Sequence, residues 1–94
     1  MTSPDSPVRD NAAKRRFELE EQGQIAFADY IRRGEVLIIP HVEAPPALRG
    51  TGAAARLMTG LLDQVREQGL KVVPSCPYAS AFIQRNTQYQ DLLA

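Results

Sequence analysis

The chain has 94 residues, 44% of them hydrophobic, and its eleven Lys and Arg offset eleven Asp and Glu. That length bounds one small domain with a modest core. The level charge gives no case for nucleic acid or a membrane surface, and the short Lys14-Arg15-Arg16 cluster reads as a solvated strand edge. One cysteine and one histidine exclude an internal disulfide and any His/Cys metal set. No apolar run approaches the ~18 residues that span a bilayer, and the polar opening residues do not form a signal peptide. The expected setting is therefore reducing and cytoplasmic.

Residues 1–12 are rich in Ser, Pro, Asp and Asn without periodicity. They read as a disordered tail ahead of one domain over 13–94. From Arg15 to Glu20, Phe17 and Leu19 alternate with charged residues, as in a half-buried strand. A turn at Gln22-Gly23 leads to a second strand, where Ile25 and Phe27 alternate with Ala26, Ala28 and Tyr30. A turn at Arg33-Gly34 leads to a third, Val36-Leu37-Ile38-Ile39, whose continuous apolar run predicts burial on both faces. These three segments form an antiparallel meander. Pro40 then removes a ladder donor, which suits an edge, a bulge or a place where pairing lapses, and Pro45-Pro46 end the strand.

Gly52 to Gln68 reads as the main helix. Leu57, Met58, Leu61, Leu62 and Val65 form its apolar face, and Gly69 is its stop. Gly60, inside that helix, reads as a close-packing position against the sheet. Leu70-Lys71-Val72-Val73 follows as a short strand, and a strand, helix, strand sequence implies a parallel pair. Pro77 opens a second helix to about Arg85, and Thr87 to Ala94 reads as a short tail.

The chemistry concentrates between Pro45 and Ala54, a Pro/Gly turn that opens a helix. The first N–H groups of a helix have no internal partner and can point at an anion. Here no carboxylate occurs in the helix before Asp63, so the place an acid would take is open to a ligand's negative charge. The loop is not a P-loop, because no Gly-Lys-Ser/Thr follows, and it lacks the third small residue of the dinucleotide fingerprint. His41 and Glu43 share one face of an extended strand. Each is either a proton acceptor or a structural strand residue; imidazoles as a class titrate near neutrality, which suits the first role. Cys76 stands between a strand end and a helix start, where a thiol is either a reactive group or a small buried hydrophobe.

The loop also satisfies Arg-x-x-Gly-x-Gly/Ala through Arg49, Gly52 and Ala54. In this it resembles the coenzyme A pyrophosphate loop of the GNAT acetyltransferases. His41 to Gly52, Leu70 to Tyr78 and Tyr89 to Leu92 resemble segments of the very small, single-domain YjdJ-type members, so the resemblance spans residues 15 to 93. It implies an α/β (α+β) reduced GNAT fold: a mostly antiparallel sheet with a parallel pair at the cofactor site, two helices, and no helices capping the acceptor side. It implies acetyl-CoA as donor, with Arg49, Gly50, Thr51, Gly52, Ala53 and Ala54 holding the pyrophosphate and Val42 lining the pantetheine path. His41 or Glu43 would deprotonate a small-molecule or protein amine, and the acetyl group would pass to it directly.

In the larger family an Asn often begins the helix after the parallel pair and a Tyr seven residues later protonates the leaving thiolate. Cys76 and Ile83 occupy those positions here, so Cys76 stands in as proton donor or as a transient acyl carrier. Tyr78 and Tyr89 are weaker candidates. The small-family His-Pro-Glu-Tyr is replaced by Asn86-Thr87-Gln88-Tyr89. Two other readings follow: a CoA or acyl-CoA sensor without turnover, and a thiol site at Cys76 with no CoA affinity. The expected oligomeric state is monomer or homodimer.

Overall fold

A computed structural model describes residues 7–94. Strands β1 (Arg9–Asn11), β2 (Arg16–Glu21), β3 (Gln24–Arg33) and β4 (Val36–Glu43) are joined by short turns. Helix α1 (Ala53–Glu67) connects β4 to β5 (Lys71–Pro74), and α2 (Pro77–Arg85) follows. The strands lie in chain order in one sheet; β1 to β4 pair antiparallel, and β5 joins β4 in parallel. The meander, the crossover and the parallel pair all stand as the sequence predicts. Short 3₁₀ turns at Pro46–Leu48 and Thr87–Leu92 complete the fold. No described helix is long and apolar enough to cross a membrane.

The core lies between one face of the sheet and α1. Leu57, Met58, Leu61, Leu62 and Val65 are all buried, as the helical spacing predicts, and so is Gly60. They meet Phe17, Leu19, Ala26, Ala28, Leu37 and Ile39 in one cluster. On β3 it is the small residues that turn inward. Ala26 and Ala28 are fully covered, while Ile25 is exposed and Phe27 half-buried. Alanines at the middle of the sheet give the long side chains of α1 room to settle close.

Three expectations are corrected. The ordered chain begins before residue 13: β1 pairs with β2 through Arg9↔Glu18 and Asn11↔Arg16. Val8 is buried, and its carbonyl accepts a 2.7 Å bond from Gln64 Nε2 of α1. Backbone pairing and one anchored carbonyl hold this stretch, neither of which composition reveals; residues 1–6 of the expected tail lie outside the described residues. Second, β4 is not buried on both faces. Leu37 and Ile39 are covered, but Val36 and Ile38 are only half-buried, because no layer packs on their side. Third, Thr87 to Ala94 is built into the fold. Tyr89 and Leu92 are buried, and Tyr89 Oη donates to Asp63. Arg66 clamps the Asp91 carboxylate at 2.7 and 3.0 Å. Leu93 forms a parallel bridge with Val72, and the Ala94 N–H donates to the Val72 carbonyl at 3.0 Å.

Candidate active site

Strands β4 and β5 pair from Val36↔Lys71 to Ile39↔Pro74 and then part. Two prolines cause the parting. Pro74 has no N–H to extend the ladder, and Pro77 begins α2 at its first position, where a missing N–H costs nothing. The last tie across the junction is the Cys76 N–H to the Ile39 carbonyl, 3.0 Å. Pro40 sits at a break in register: β3 spends one residue, Tyr30, between the pairs Asp29↔His41 and Ile31↔Ile38, while β4 spends Ile39 and Pro40. This is the bulge that a strand proline favours. Beyond it, His41, Val42 and Glu43 pair with β3 alone. One edge of β4 is thereby left without a strand neighbour next to the loop.

That loop turns through Gly50 (φ +79°) and Gly52 (φ +86°), and Gly52 caps α1 in the left-handed conformation with no side-chain cap. The positive φ favours glycine here, and a Cβ at Gly52 would stand 3.0 Å from Arg56 Nη1, which would have to shift. Thr51 Oγ1 donates to the Leu48 carbonyl at 2.6 Å and receives the Ala53 N–H at 3.3 Å. Thr51 therefore shapes the turn, with its hydroxyl turned inward. The N–H groups of Gly50, Gly52, Ala54 and Ala55 have no acceptor among the described residues. These groups and the helix dipole form a cradle that fits an anion.

One feature modifies the view of an acid-free helix start. Glu21, at the end of β2, receives a two-pronged contact from Arg56, 2.8 and 2.7 Å. The Arg56 hydrogen bond holds the Glu21 carboxyl below its usual range. Arg56 also reaches the Thr51 carbonyl at 3.1 Å and so braces the loop. Arg49 Nε is bound to the Ala44 carbonyl at 3.2 Å, which tethers the two ends of the loop and leaves the rest of its guanidinium at the surface.

His41 and Glu43 meet: Nε2 lies 2.9 Å from Oε1, and both side chains are about half exposed. With Glu43 accepting from Nε2–H, the lone pair of the neutral ring sits on Nδ1. The His41 ring also lies 6.1 Å from the Phe27 ring. Register places His41 and Glu43 on the sheet face away from the helices, opposite Asp29 and Phe27 respectively. Val42 points the other way, packing against the edge of the core. Cys76 is the N-cap residue of α2 and is buried in the core cluster. The structure thus joins His41 to Glu43, and sets Cys76 on the helix side of the junction, linked to β4 through backbone. Ile83, where the larger family carries tyrosine, is buried.

A groove of about 330 Å³ opens between α1 and α2, lined by Ala55, Tyr78, Ala81, Phe82, Arg85 and Asn86. It begins at the first turn of α1, beside the cradle, and its size falls in the range of small-ligand sites. Burial raises the Tyr78 hydroxyl above the usual phenol range. The sequence reading missed Ala55, Phe82, Arg85 and Asn86 as site residues. Their signal was present: Tyr78, Phe82 and Arg85 recur at helical spacing on the stripe beside the buried Ala79 and Ile83.

Among the described residues no group of acids, His and Cys is arranged to hold a metal. The loop's free N–H groups, the parted strands and the groove lie next to one another at this end of the sheet. Two comparisons bear on the assignment. A solution NMR structure of a protein from Staphylococcus aureus, described as GCN5-like, superposes with a TM-score of 0.66 at 20% identity, covering 98% of this chain and 91% of that one. At that identity the match speaks for the fold: the mixed sheet with its parallel pair is a GNAT fold. The family profile described as GCN5-related N-acetyl-transferase matches residues 16–92, from the start of β2 to the last 3₁₀ turn. The chain therefore belongs to the GCN5-related N-acetyltransferase family and is an acyl-transferring enzyme.

Proposed function

We propose that this domain moves an acetyl group from acetyl-CoA to an amine by direct attack. The observation that carries the reading is the cradle of N–H groups at Gly50, Gly52, Ala54 and Ala55, opening onto the groove between α1 and α2. The cradle would hold the pyrophosphate, with Arg49 at its rim. The free edge of β4 at Val42 would bond the pantetheine arm. The groove supplies aromatic surface at Tyr78 and Phe82, with the Arg85 guanidinium for the remainder of the cofactor.

His41 accepts the amine's proton at Nδ1. Glu43 fixes the imidazole's orientation and tautomer, a role its 2.9 Å bond supports better than that of a second base. The nitrogen forms the amide bond, the thioester carbon–sulfur bond breaks, and the electron pair leaves on sulfur. The Cys76 thiol donates a proton to that sulfur and regains one from water. A thiol buried in the core is open only to a group seated at the junction, which argues against a thiol site that works without CoA; a covalent acyl carrier at Cys76 is the less favoured route. The second reading, binding without turnover, draws support from Ile83 in place of a tyrosine acid.

Titration calorimetry with CoA and acetyl-CoA tests the donor, and absence of heat with both overturns it. Release of free thiol is then followed with an amine panel. Expected are turnover by the wild type, a large loss in His41→Ala and a smaller one in Cys76→Ala. Binding with no turnover across the panel selects the second reading, and full turnover in Cys76→Ala removes the proton-donor role.

A further inference from the structure

The two faces of the sheet differ in a way the donor site does not explain. The face with His41 and Glu43 carries Ile25, Phe27, Ile31, Val36, Ile38 and Val73, none of which takes part in the core cluster. Ile31 is 46% exposed, Ile25 38% and Val73 36%. Ile31, Ile38 and Val73 stand in one row across β3, β4 and β5, with Val36 in the next row. Ile31, Ile38, Val73 and Val36 thus form one apolar band, and Ile25 and Phe27 stand beyond the polar row of Arg16, Asp29 and His41; an exposed apolar band of this kind on a small domain marks an interaction surface.

Charge at one end of the band indicates what docks there. Asp29 is paired in register with His41, between it and Arg16. Arg16 is already engaged: its Nε lies 2.6 Å from Glu18, and its guanidinium sits 4.4 Å above the Phe27 ring. Arg9 also approaches Glu18, at 3.8 Å. No hydrogen bond or ion pair engages the Asp29 carboxylate among the described residues. The band thus ends in an uncommitted carboxylate beside the candidate base, which complements an ammonium group carried on an apolar body. Small amines are normally held in concave pockets. Here the acceptor side is an open sheet face several strands wide, which suits the surface of a polypeptide.

We propose that the acceptor is a polypeptide amine flanked by apolar side chains, docked on the open face of the sheet, with Asp29 drawing its ammonium toward His41. This rests on the acyl-transfer reading above, and it assigns the donor and the acceptor to opposite faces of β4.

Three acceptors test it with acetyl-CoA: a short blocked peptide with one lysine between leucine and phenylalanine, the same peptide with serines at those places, and n-butylamine. The apolar-flanked peptide is expected to exceed the other two in kcat/KM by about tenfold or more, as burial of one large apolar side chain gives. Ile31→Asp abolishes that preference. Asp29→Asn raises KM for the peptide by about three- to tenfold, as loss of one interfacial charge gives. Both variants keep wild-type melting temperature and acetyl-CoA affinity. Amide shifts during titration with the apolar-flanked peptide, read on isotope-labelled protein without acetyl-CoA, fall on Ile25, Phe27, Ile31, Ile38 and Val73. Equal use of all three acceptors, unchanged kinetics in both variants, or shifts confined to the α1–α2 groove overturns the proposal. So does movement of the same amides on dilution of the protein alone, which assigns the face to a second copy. Absence of acetyl-CoA binding brings down the donor reading separately, because the shift map still decides where the peptide docks.

Discussion

Strand β4 has two halves that share a backbone and little else. Val36 to Ile39 is paired on both sides and sends Leu37 and Ile39 into the core. His41 to Glu43 is paired on one side and sends two polar side chains to an exposed face. Pro40 divides them by shifting the register. The first half is held by packing, the second by little more than its pairing with β3. The chemistry proposed for His41 and Glu43 would fall where stability asks least, so the two halves should fail in different ways when altered.

The largest expected effect lies in the first half. Truncating Ile39 to Ala should cost about 2–5 kcal/mol, since the side chain is fully buried and its loss leaves a cavity that the surroundings fill only in part. Chemical denaturation reads this, and a loss below about 1 kcal/mol would mean the core is looser than its burial indicates. In the second half, His41→Ala should lower kcat by about a hundredfold, as loss of a general base does. Its denaturation midpoint should stay at the wild-type value. If stability falls and kcat does not, the two halves are not functionally distinct.

The loop tests whether the cradle belongs with the chemical half. Gly52→Ala places a side chain at φ +86°, at a cost of about 1–2 kcal/mol. It also displaces Arg56 from the Thr51 carbonyl. CoA affinity should fall more than stability does, measured by calorimetry and melting on the same variant. An unchanged affinity would remove the loop from the site.

The smallest effect is one of pH. Burial and the Asp10 hydrogen bond push the Tyr30 hydroxyl up to about 12. A raised folded value means that stability is complete below the unfolded phenol value of about 10 and declines as pH climbs from there toward the folded value. Tyr30→Phe should flatten that alkaline decline while leaving neutral-pH turnover intact, and an unchanged decline would exclude this tyrosine as its source. Glu18 works in the acid direction. The Arg16 hydrogen bond keeps its carboxyl below the usual range. Its contribution is therefore present above about pH 4.5 and is lost as pH falls below that toward the lowered folded value.

How far the residues announced all this varies with the physics. The apolar face of α1, the start of α2 at Pro77 and some break in the ladder at Pro40 were legible, because periodicity and proline geometry act locally, while the structure chose the bulge among the three forms that break could take. The cradle was legible for the same reason, since glycines and a helix start are adjacent in sequence. Contacts made over long separations were not. β1 is polar and takes its place from pairing with β2 and from Gln64, fifty-six residues away. The Glu21 to Arg56 contact spans thirty-five positions, and no local pattern reports it. The half-open face of β4 was misread because a run of apolar residues signals burial without saying how many layers the fold supplies. That His41 and Glu43 share a face followed from their spacing, but their 2.9 Å contact and the face on which they stand depended on the structure.

The hook that Leu93 and Ala94 place along Val72 has a consequence for solubility. An open outer strand is a template on which other chains can grow, and covering the edge with a short segment of the same chain is a common defence against it. β5 is a short, apolar strand at the sheet's edge, and this cover is fastened by Arg66 and Lys71 through Asp91. Loosening the fastening, as Asp91→Ala would, should leave the melting temperature nearly intact while turbidity rises on storage. That outcome would mean that colloidal lifetime and folding stability are set by different residues.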